Sequence, residues 1–492
     1  MMRKIITVLL CLTILASAFA LVGCPAADTE SGDQSKVDAL EHLKGLDFEG
    51  DDIVIVYVEG GNGTFTARSL GLAADEDTGD AVDSKVYERN STVQSMLNVS
   101  IEPFEGAVNF GDLSGTISSS LAASSGEYDI IAGYQYFDIG LAAEGYLINL
   151  NNLSSETYNA DYLRLDADYW SARYNDALSY NGATYWITGD LALRYLGGMY
   201  CTFVNGDIYD SVLKPTYGSI YDIVKNNEWT LDKLFEMSEA CYDDENGDGE
   251  TDQDDRLGFA IETSMDPIDG MAFGSAITFS VKTEDTVDVY LRNKRTVEFG
   301  EKMAKIIDSK SFFAPDGKDS HNQMDLFASG NVCFTVASVF HAEVGLREMK
   351  NFYIIPVPKL NTDQTSYSSG IHDGCTIFSI PYDAPDVAAS AATLEAMAAE
   401  SKRIVTPEYY DSALKYKYTR DTEAAEMIDL IRDCAYTDFA AAWSEDINNI
   451  VHFFRENKDN LGTISSKMGK LEKGWQTKMD DLLAKLDEFS VE

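Results

Sequence analysis

Short apolar runs that stop at glycine or proline, separated by helically spaced segments, constrain this chain more than any other feature. Ile53-Val54-Ile55-Val56-Tyr57-Val58 reads as a buried strand. It ends in Glu59-Gly60-Gly61-Asn62-Gly63, a loop whose glycines let backbone approach a ligand closely. Val86, Val93, Met96 and Leu97 give residues 83–97 a helical face, and 99–101 follows as a second strand. Residues 128–133 make a third, followed by Tyr134-Gln135-Tyr136 and a short helix that stops at Gly145. Further on, 332–336, 352–355 and 375–380 read as strands, the last two closed by Pro356 and Pro381. Residues 386–400 read as a helix, and from Pro407 onward the pattern is helical almost throughout. Strands alternating with helices imply α/β layers built on parallel sheets. In such sheets ligands bind beyond the carboxyl ends of the strands. The runs have no fixed period, so the chain is not a solenoid.

A chain of 492 residues has room for roughly two to four domain-sized units. Its formal net charge is −44, yet 45% of its residues are hydrophobic and 11% aromatic, which excludes a disordered acidic chain. That charge repels phosphate backbones, so nucleic acid is excluded as a partner. An anionic membrane surface and polyanionic substrates are disfavoured for the same reason.

Arg3 and Lys4 precede an uncharged apolar run over residues 5–22, the layout of an export signal. Leu21-Val22-Gly23-Cys24 resembles a bacterial lipobox, in which the cysteine is lipidated and becomes the mature N-terminus. The expected mature protein is therefore extracytoplasmic and held at the outer face of the cell membrane by lipid on Cys24. Cleavage removes two cations and no acid. The remaining Cys201, Cys241, Cys333, Cys375 and Cys434 are odd in number, far apart and without a Cys-x-x-Cys pair. They argue for buried free thiols over a disulfide framework, with room for a single bridge.

Four stretches together resemble the extracellular solute-binding proteins of ABC importers, the sugar-binding type called family 1. They are 128–133 with Gly145-Tyr146-Leu147-Ile148-Asn149-Leu150, then Asn181-Gly182-Ala183-Thr184-Tyr185-Trp186-Ile187-Thr188-Gly189-Asp190, then Glu228-Trp229-Thr230-Leu231-Asp232-Lys233-Leu234, and finally Phe327-Ala328-Ser329-Gly330-Asn331-Val332 through Pro356-Val357-Pro358. The resemblance implies an α/β fold of the two-lobe, periplasmic-binding-protein-like (type II) kind, with a ligand cleft between the lobes and a helical C-terminal section. The expected division is 1–23 as signal peptide, 24–47 as flexible tether, 48–189 with 350–400 as the first lobe, and 190–349 with 401–492 as the second. It further implies a monomer that captures a mono- or oligosaccharide by lobe closure and delivers it to ABC transporter permease subunits, without catalysis. The competing readings are a lipoprotein glycoside hydrolase, and a sensor or adhesin on the same fold. No nucleophile motif or His-Glu-x-x-His helix favours an enzyme.

A sugar site needs carboxylates or amides beside aromatic platforms. Asp190, placed where the resemblance puts an acidic cleft residue, is one candidate; a helix N-cap is its alternative. Tyr134 and Gln135 follow a strand end, and Phe340 and His341 lie where the resemblance puts an aromatic platform. A core position is the other reading of His341 and of Trp443. Glu59 and Asp373, the latter in His372-Asp373-Gly374, complete the set. No arginine cluster accompanies them in sequence, which argues against anionic ligands.

Residues 244–255 match a calcium loop. Asp244, Asn246 and Asp248 take the first, third and fifth ligand positions, and Gly249 the sharp turn. Glu250 offers its carbonyl, Asp252 binds directly or through water, and Asp255 closes the site where an EF-hand has Glu. A structural Ca²⁺ in the second lobe is the expectation; an acidic solvated turn is the alternative.

Overall fold

The structure, a computed structural model, describes residues 39–60, 66–76, 78–283, 286–315, 322–346, 348–410 and 422–489. The signal peptide, Cys24 and most of the expected tether lie outside these residues. The body begins earlier than expected, within a unit that starts at Leu43. Leu43 is fully buried, and Asn98 donates to the Asp47 carboxylate at 2.7 Å, so residues 43–47 are part of the fold.

Among the described residues eleven strands form two main sheets and a hairpin. In chain order they are β1 (Asp51–Val58), β2 (Val99–Ala107), β3 (Ile130–Tyr134), β4 (Tyr200–Asn205), β5 (Leu257–Ala260), β6 (Ser280–Lys282), β7 (Val287–Val289), β8 (Phe312–Phe313), β9 (Val332–Ser338), β10 (Phe352–Pro356) and β11 (Thr376–Ser379). The first lobe holds the sheet β11-β3-β1-β2, and the second holds β10-β4-β9-β5-β8. The sequence suggested parallel sheets; both are mixed. In the first, β1 runs parallel to β2 and β3, while β11 is antiparallel to β3. In the second, β5 is parallel to β8 and β9, while β4 is antiparallel to β9 and β10. The reason is where the chain changes lobe. Strands β3 and β9 end at the crossing region, whereas β4 and β11 start there and must run the other way.

The helices follow their local signals. Asp80 caps α1 (Ala81–Leu97) by accepting from Val82 and Asp83 N–H, and Asn98 ends it in the left-handed region. Next comes α2 (Asp112–Ala122). Thr230 caps α3 (Leu231–Cys241), and Trp229 before it is fully buried, with Nε1–H on the Pro356 carbonyl at 2.9 Å. The remaining long helices are α4 (Pro267–Gly274), α5 (Lys294–Ile307), α6 (Val387–Glu400, capped by Asp386), α7 (Thr422–Asp433) and α8 (Ile464–Phe489). At Asn181-Gly182 both φ angles are positive and Tyr180 pairs with Ala183, the two-residue hairpin turn that Asn-Gly favours.

Three segments cross between the lobes side by side. Met199 bridges Ile371, and Ser369 bridges Ala435. Tyr200 N–H donates to Gly370 O at 2.9 Å, His372 N–H to Gly198 O at 2.8 Å, and Tyr436 N–H to Ser369 O at 2.8 Å. The Ser369 hydroxyl also donates to Tyr200 O at 2.6 Å. The expected lobe boundaries move accordingly. Strand β10 pairs with β4 in the second lobe, so the return to the first lobe comes at 369–375, not at 350. Residues 401–405 continue α6 beside α1, where Arg89 donates to the Ser401 hydroxyl, so they stay in the first lobe. The C-terminal section after Phe439 is helical as expected, and it packs on both lobes.

Candidate functional site

The strand ends of the first lobe, the crossing segments and the C-terminal section meet at one place. After β3 the chain turns sharply because the buried Asp138 carboxylate accepts Tyr134 N–H at 2.7 Å and the Ser114 hydroxyl at 2.6 Å. Burial pushes this carboxyl up to about 6 against those two bonds. The turn presents a run of rings: Phe110–Tyr134 at 4.9 Å, Tyr134–Phe137 at 5.4 Å, Phe137–Tyr136 at 4.8 Å, and Tyr136 stacked on His452 at 5.2 Å. Gly60 is needed where β1 ends: its φ is +71°, and a Cβ there would run into the Phe110 ring.

Beside the rings lies a knot of charge. Asp373, on the crossing loop, faces His372 at 3.3 Å, His452 at 3.5 Å and Arg455 at 3.9 Å. Burial alone would raise its carboxyl, but the His452 contact and the neighbouring cations hold it well below the usual range. Asp269, on α4 and 2% exposed, takes Arg455 Nε–H at 2.7 Å and an Nη2–H on the same oxygen, Oδ2. Its Oδ1 is buried with no hydrogen-bond partner among the described residues. Burial pushes Asp269 up to about 7, with Arg455 pulling the other way. Tyr200 donates to Asp266 at 3.1 Å and lies against His372 with ring centroids 6.3 Å apart. Among Gln135, Tyr200, Asp269, Asp373 and Arg455 there remains a cavity of about 10 Å³, room for about one water. In this conformation the lobes meet, so a larger ligand requires them to part about the crossing.

The sequence candidates fall into three groups. Tyr134 and Asp373 sit in the cluster. Gln135 borders it but is 2% exposed, and its amide is engaged by Tyr174 O–H and by the Ala442 carbonyl at 3.2 Å. Phe340 lies under Arg194, with 4.3 Å from guanidinium to ring; burial lowers that guanidinium to about 10. His341 bonds back to the Ser338 hydroxyl and carbonyl through Nδ1. Asp190 caps no helix: its carboxylate takes Arg432 Nη2–H at 3.3 Å, and burial pushes it up to about 6. Trp443 is fully buried and stacked on Phe439 at 5.6 Å, a core position. Glu59 faces Glu105, whose carboxyl it raises.

Sequence reasoning missed Tyr200, Asp266, Asp269, His452 and Arg455. They lie on three separated stretches, and only the fold brings them together. One arginine, Arg455, reaches the site from the C-terminal section.

In the 244–255 loop the carboxylates serve the backbone. Asp244 accepts Gly247 N–H at 2.7 Å and Gly249 N–H at 3.0 Å. The fully buried Asp255 accepts Glu245 N–H at 3.2 Å and Asp252 N–H at 3.3 Å. Among the described residues no group of three or more His, Cys, Asp or Glu is placed to hold a metal ion. No helix among them is long and apolar enough to cross a membrane.

No protein-family model matches the sequence, and no curated protein matches it. Solved structures do match. The ABC substrate-binding protein Lmo0181 of Listeria monocytogenes, in complex with cycloalternan, has a TM-score of 0.53 at 13% identity, over 89% of this chain and 100% of its own. The galacto-N-biose/lacto-N-biose I-binding protein of a Bifidobacterium longum ABC transporter, with lacto-N-biose, gives 0.55 at 12%, over 89% and 98%. UgpB of Mycobacterium tuberculosis, with glycerophosphocholine, gives 0.53 at 13%, over 89% and 98%. At such identities the likeness is one of architecture: the chain has the two-lobed fold of these ABC-transporter binding proteins, with its cleft where the three crossing segments run.

Proposed function

We propose that the protein captures an extracellular carbohydrate, a mono- or oligosaccharide, by closing its lobes, and hands it to an ABC transporter permease. The observation that carries this reading is the meeting of aromatic rings and carboxylates from both lobes at the crossing. Rings suit the apolar C–H faces of a sugar, and Asp266, Asp269 and Asp373 offer acceptors for its hydroxyls. The similar structures are binding proteins, two of them solved with saccharides, which favours capture over hydrolysis. A thermal-shift screen with mono- and oligosaccharides, glycerophosphodiesters and peptides tests it. Saccharides should raise the melting temperature; stabilisation by peptides or phosphodiesters alone would sink the carbohydrate reading.

Two features of the sequence extend the proposal. Residues 1–23 direct export and Cys24 carries the lipid, so palmitate labelling should be lost in Cys24→Ser. The 244–255 loop takes up Ca²⁺ structurally. Each carboxylate oxygen has two lone pairs, so the backbone contacts of Asp244 leave capacity for a cation, although its companions would have to turn inward to join it.

A further inference from the structure

At the crossing, both hydrogen bonds accepted by the Asp269 side chain fall on one oxygen. Arg455 gives Nε–H at 2.7 Å and Nη2–H to Oδ2. Oδ1 is buried too and has no hydrogen-bond partner among the described residues. Among those residues Arg455 is also the one cation within ion-pair distance of Asp269. The two imidazoles are committed elsewhere. His452 Nε2 lies 3.5 Å from Asp373, and His372 lies 3.3 Å from Asp373 through Nδ1 and 3.8 Å from Asp266 through Nε2. Asp269 shares the wall of the cavity of about 10 Å³ with Tyr200, Phe273, Asp373 and Arg455. A buried carboxylate oxygen that has given up its water calls for a donor in exchange. One water fits there while the lobes are together. A ligand that enters when they part displaces it and has to bring the donor itself.

We propose that this donor is a protonated amine, which makes the ligand an amino sugar whose nitrogen carries no acyl group. The proposal deepens the carbohydrate reading and rests on it for the sugar scaffold, while the charge is argued from the cluster itself. A neutral hydroxyl would fill Oδ1 and leave the electrostatics as they are. Asp266, Asp269 and Asp373 bring three carboxylates to a cluster with one guanidinium, which stands 3.9 Å from Asp373 while it is bound to Asp269. An ammonium satisfies Oδ1 through a charge-assisted hydrogen bond and offsets the excess of acid where little water is left to screen it. The rings on the same wall, Tyr200 and Phe273, attract a cation to their faces. The whole chain acts in the same direction, since a formal net charge of −44 draws cations in and keeps anions out. An acetylated nitrogen keeps an N–H but loses the charge, so the site separates free amino sugars from their N-acetyl forms.

The test is calorimetry on the folded, full-length protein with matched sets of sugars. Each set holds a free amino sugar, its N-acetyl form and the hydroxyl sugar, as monosaccharides and short oligomers of the gluco and galacto series. Putrescine serves as an amine that carries no sugar. The free-amine member should bind at least about tenfold tighter than its two counterparts. Asp269→Asn, which keeps the shape and removes the charge, should bring that ratio to about threefold or less, whereas general damage to the fold would weaken all members alike. Equal or tighter binding of the hydroxyl or N-acetyl forms would overturn the amine and leave the carbohydrate reading in place. Binding of putrescine with no sugar bound would do the reverse, removing the sugar and keeping the cation site. Silence from every member would overturn the proposal outright. Because the ratio is read first on the native chain, the result does not depend on how well a variant folds.

Discussion

Two acid-rich regions of this molecule solve like-charge crowding in opposite ways. At the crossing, Asp269 and Asp373 face Arg455 and His452 from the distant C-terminal section, with His372 beside Asp373. In the 244–255 loop, Asp244 and Asp255 are balanced by backbone N–H groups a few residues away. The first arrangement exists only in the assembled fold and is largely dry. The second is local, mostly exposed, and leaves the rest of the protein indifferent to it. The crossing cluster is therefore where a single change should propagate.

The largest effect is expected at Asp269. Asp269→Ala leaves Arg455 buried beside an empty site and should cost about 3–5 kcal/mol in denaturant unfolding, with Asp269→Asn costing less. Asp244→Ala should cost about 1 kcal/mol, since it removes hydrogen bonds near the surface. Equal losses in the two variants would break the comparison. Next comes binding. Asp373→Ala and Tyr136→Ala should each weaken the best saccharide at least about tenfold by calorimetry, a loss near 1.4 kcal/mol. Asp190→Ala should weaken it less, because its carboxylate is turned to Arg432; the reverse order would return Asp190 to the site.

The pH dependence follows from burial. Asp269 and Glu445 are pushed up to about 7, and Asp138 and Asp446 to about 6, in each case chiefly by burial. A carboxyl with a raised folded value holds its proton in the native state where the unfolded chain has lost it. Stability from these groups therefore falls as pH rises from about 4 toward 7. Asp373 works in the opposite sense, and its contribution is lost only as pH drops through its depressed folded value. The melting temperature should be higher near pH 5 than near pH 7.5. A monotonic rise with pH would show that the buried carboxylates are ionised in the fold. The smallest effect belongs to the loop: calcium added to chelator-treated protein should release or absorb heat and raise the melting temperature by a few degrees, without changing saccharide affinity. Neither heat nor a shift would remove Ca²⁺ from the account.

The same contrast explains what could be read from the sequence. Strands β1, β9 and β10 and helix α6 were legible, because each depends on neighbours in sequence. So was the acid loop, whose donors and acceptors lie within twelve positions. The mixed character of the sheets was not, since β4 and β11 take their direction from a lobe change that no local pattern encodes. Arg455 was invisible for a related reason: its partner Asp269 is 186 positions away. Trp443 stayed open between two readings, because an aromatic in an Ala-rich helix reads alike whether it faces a cleft or, as here, a core. Tyr134 and Asp373 could be placed near the crossing because strand ends and glycine-flanked loops carry their position with them.

Helix α8 packs along its length on the body and makes polar contacts in both lobes. Gln476 accepts Val289 N–H on the second-lobe hairpin at 2.8 Å, and Asp487 accepts from Asn181 at 3.0 Å while Phe489 covers Gly145 in the first lobe. Eleven residues of helix separate Gln476 from Asp487, roughly 16 Å of stiff rod. A few degrees of rotation between the lobes therefore becomes a sliding of its tip by about an ångström against Asn181 and Gly145. The far end of α8 is a mechanical pointer whose deflection follows the angle between the lobes.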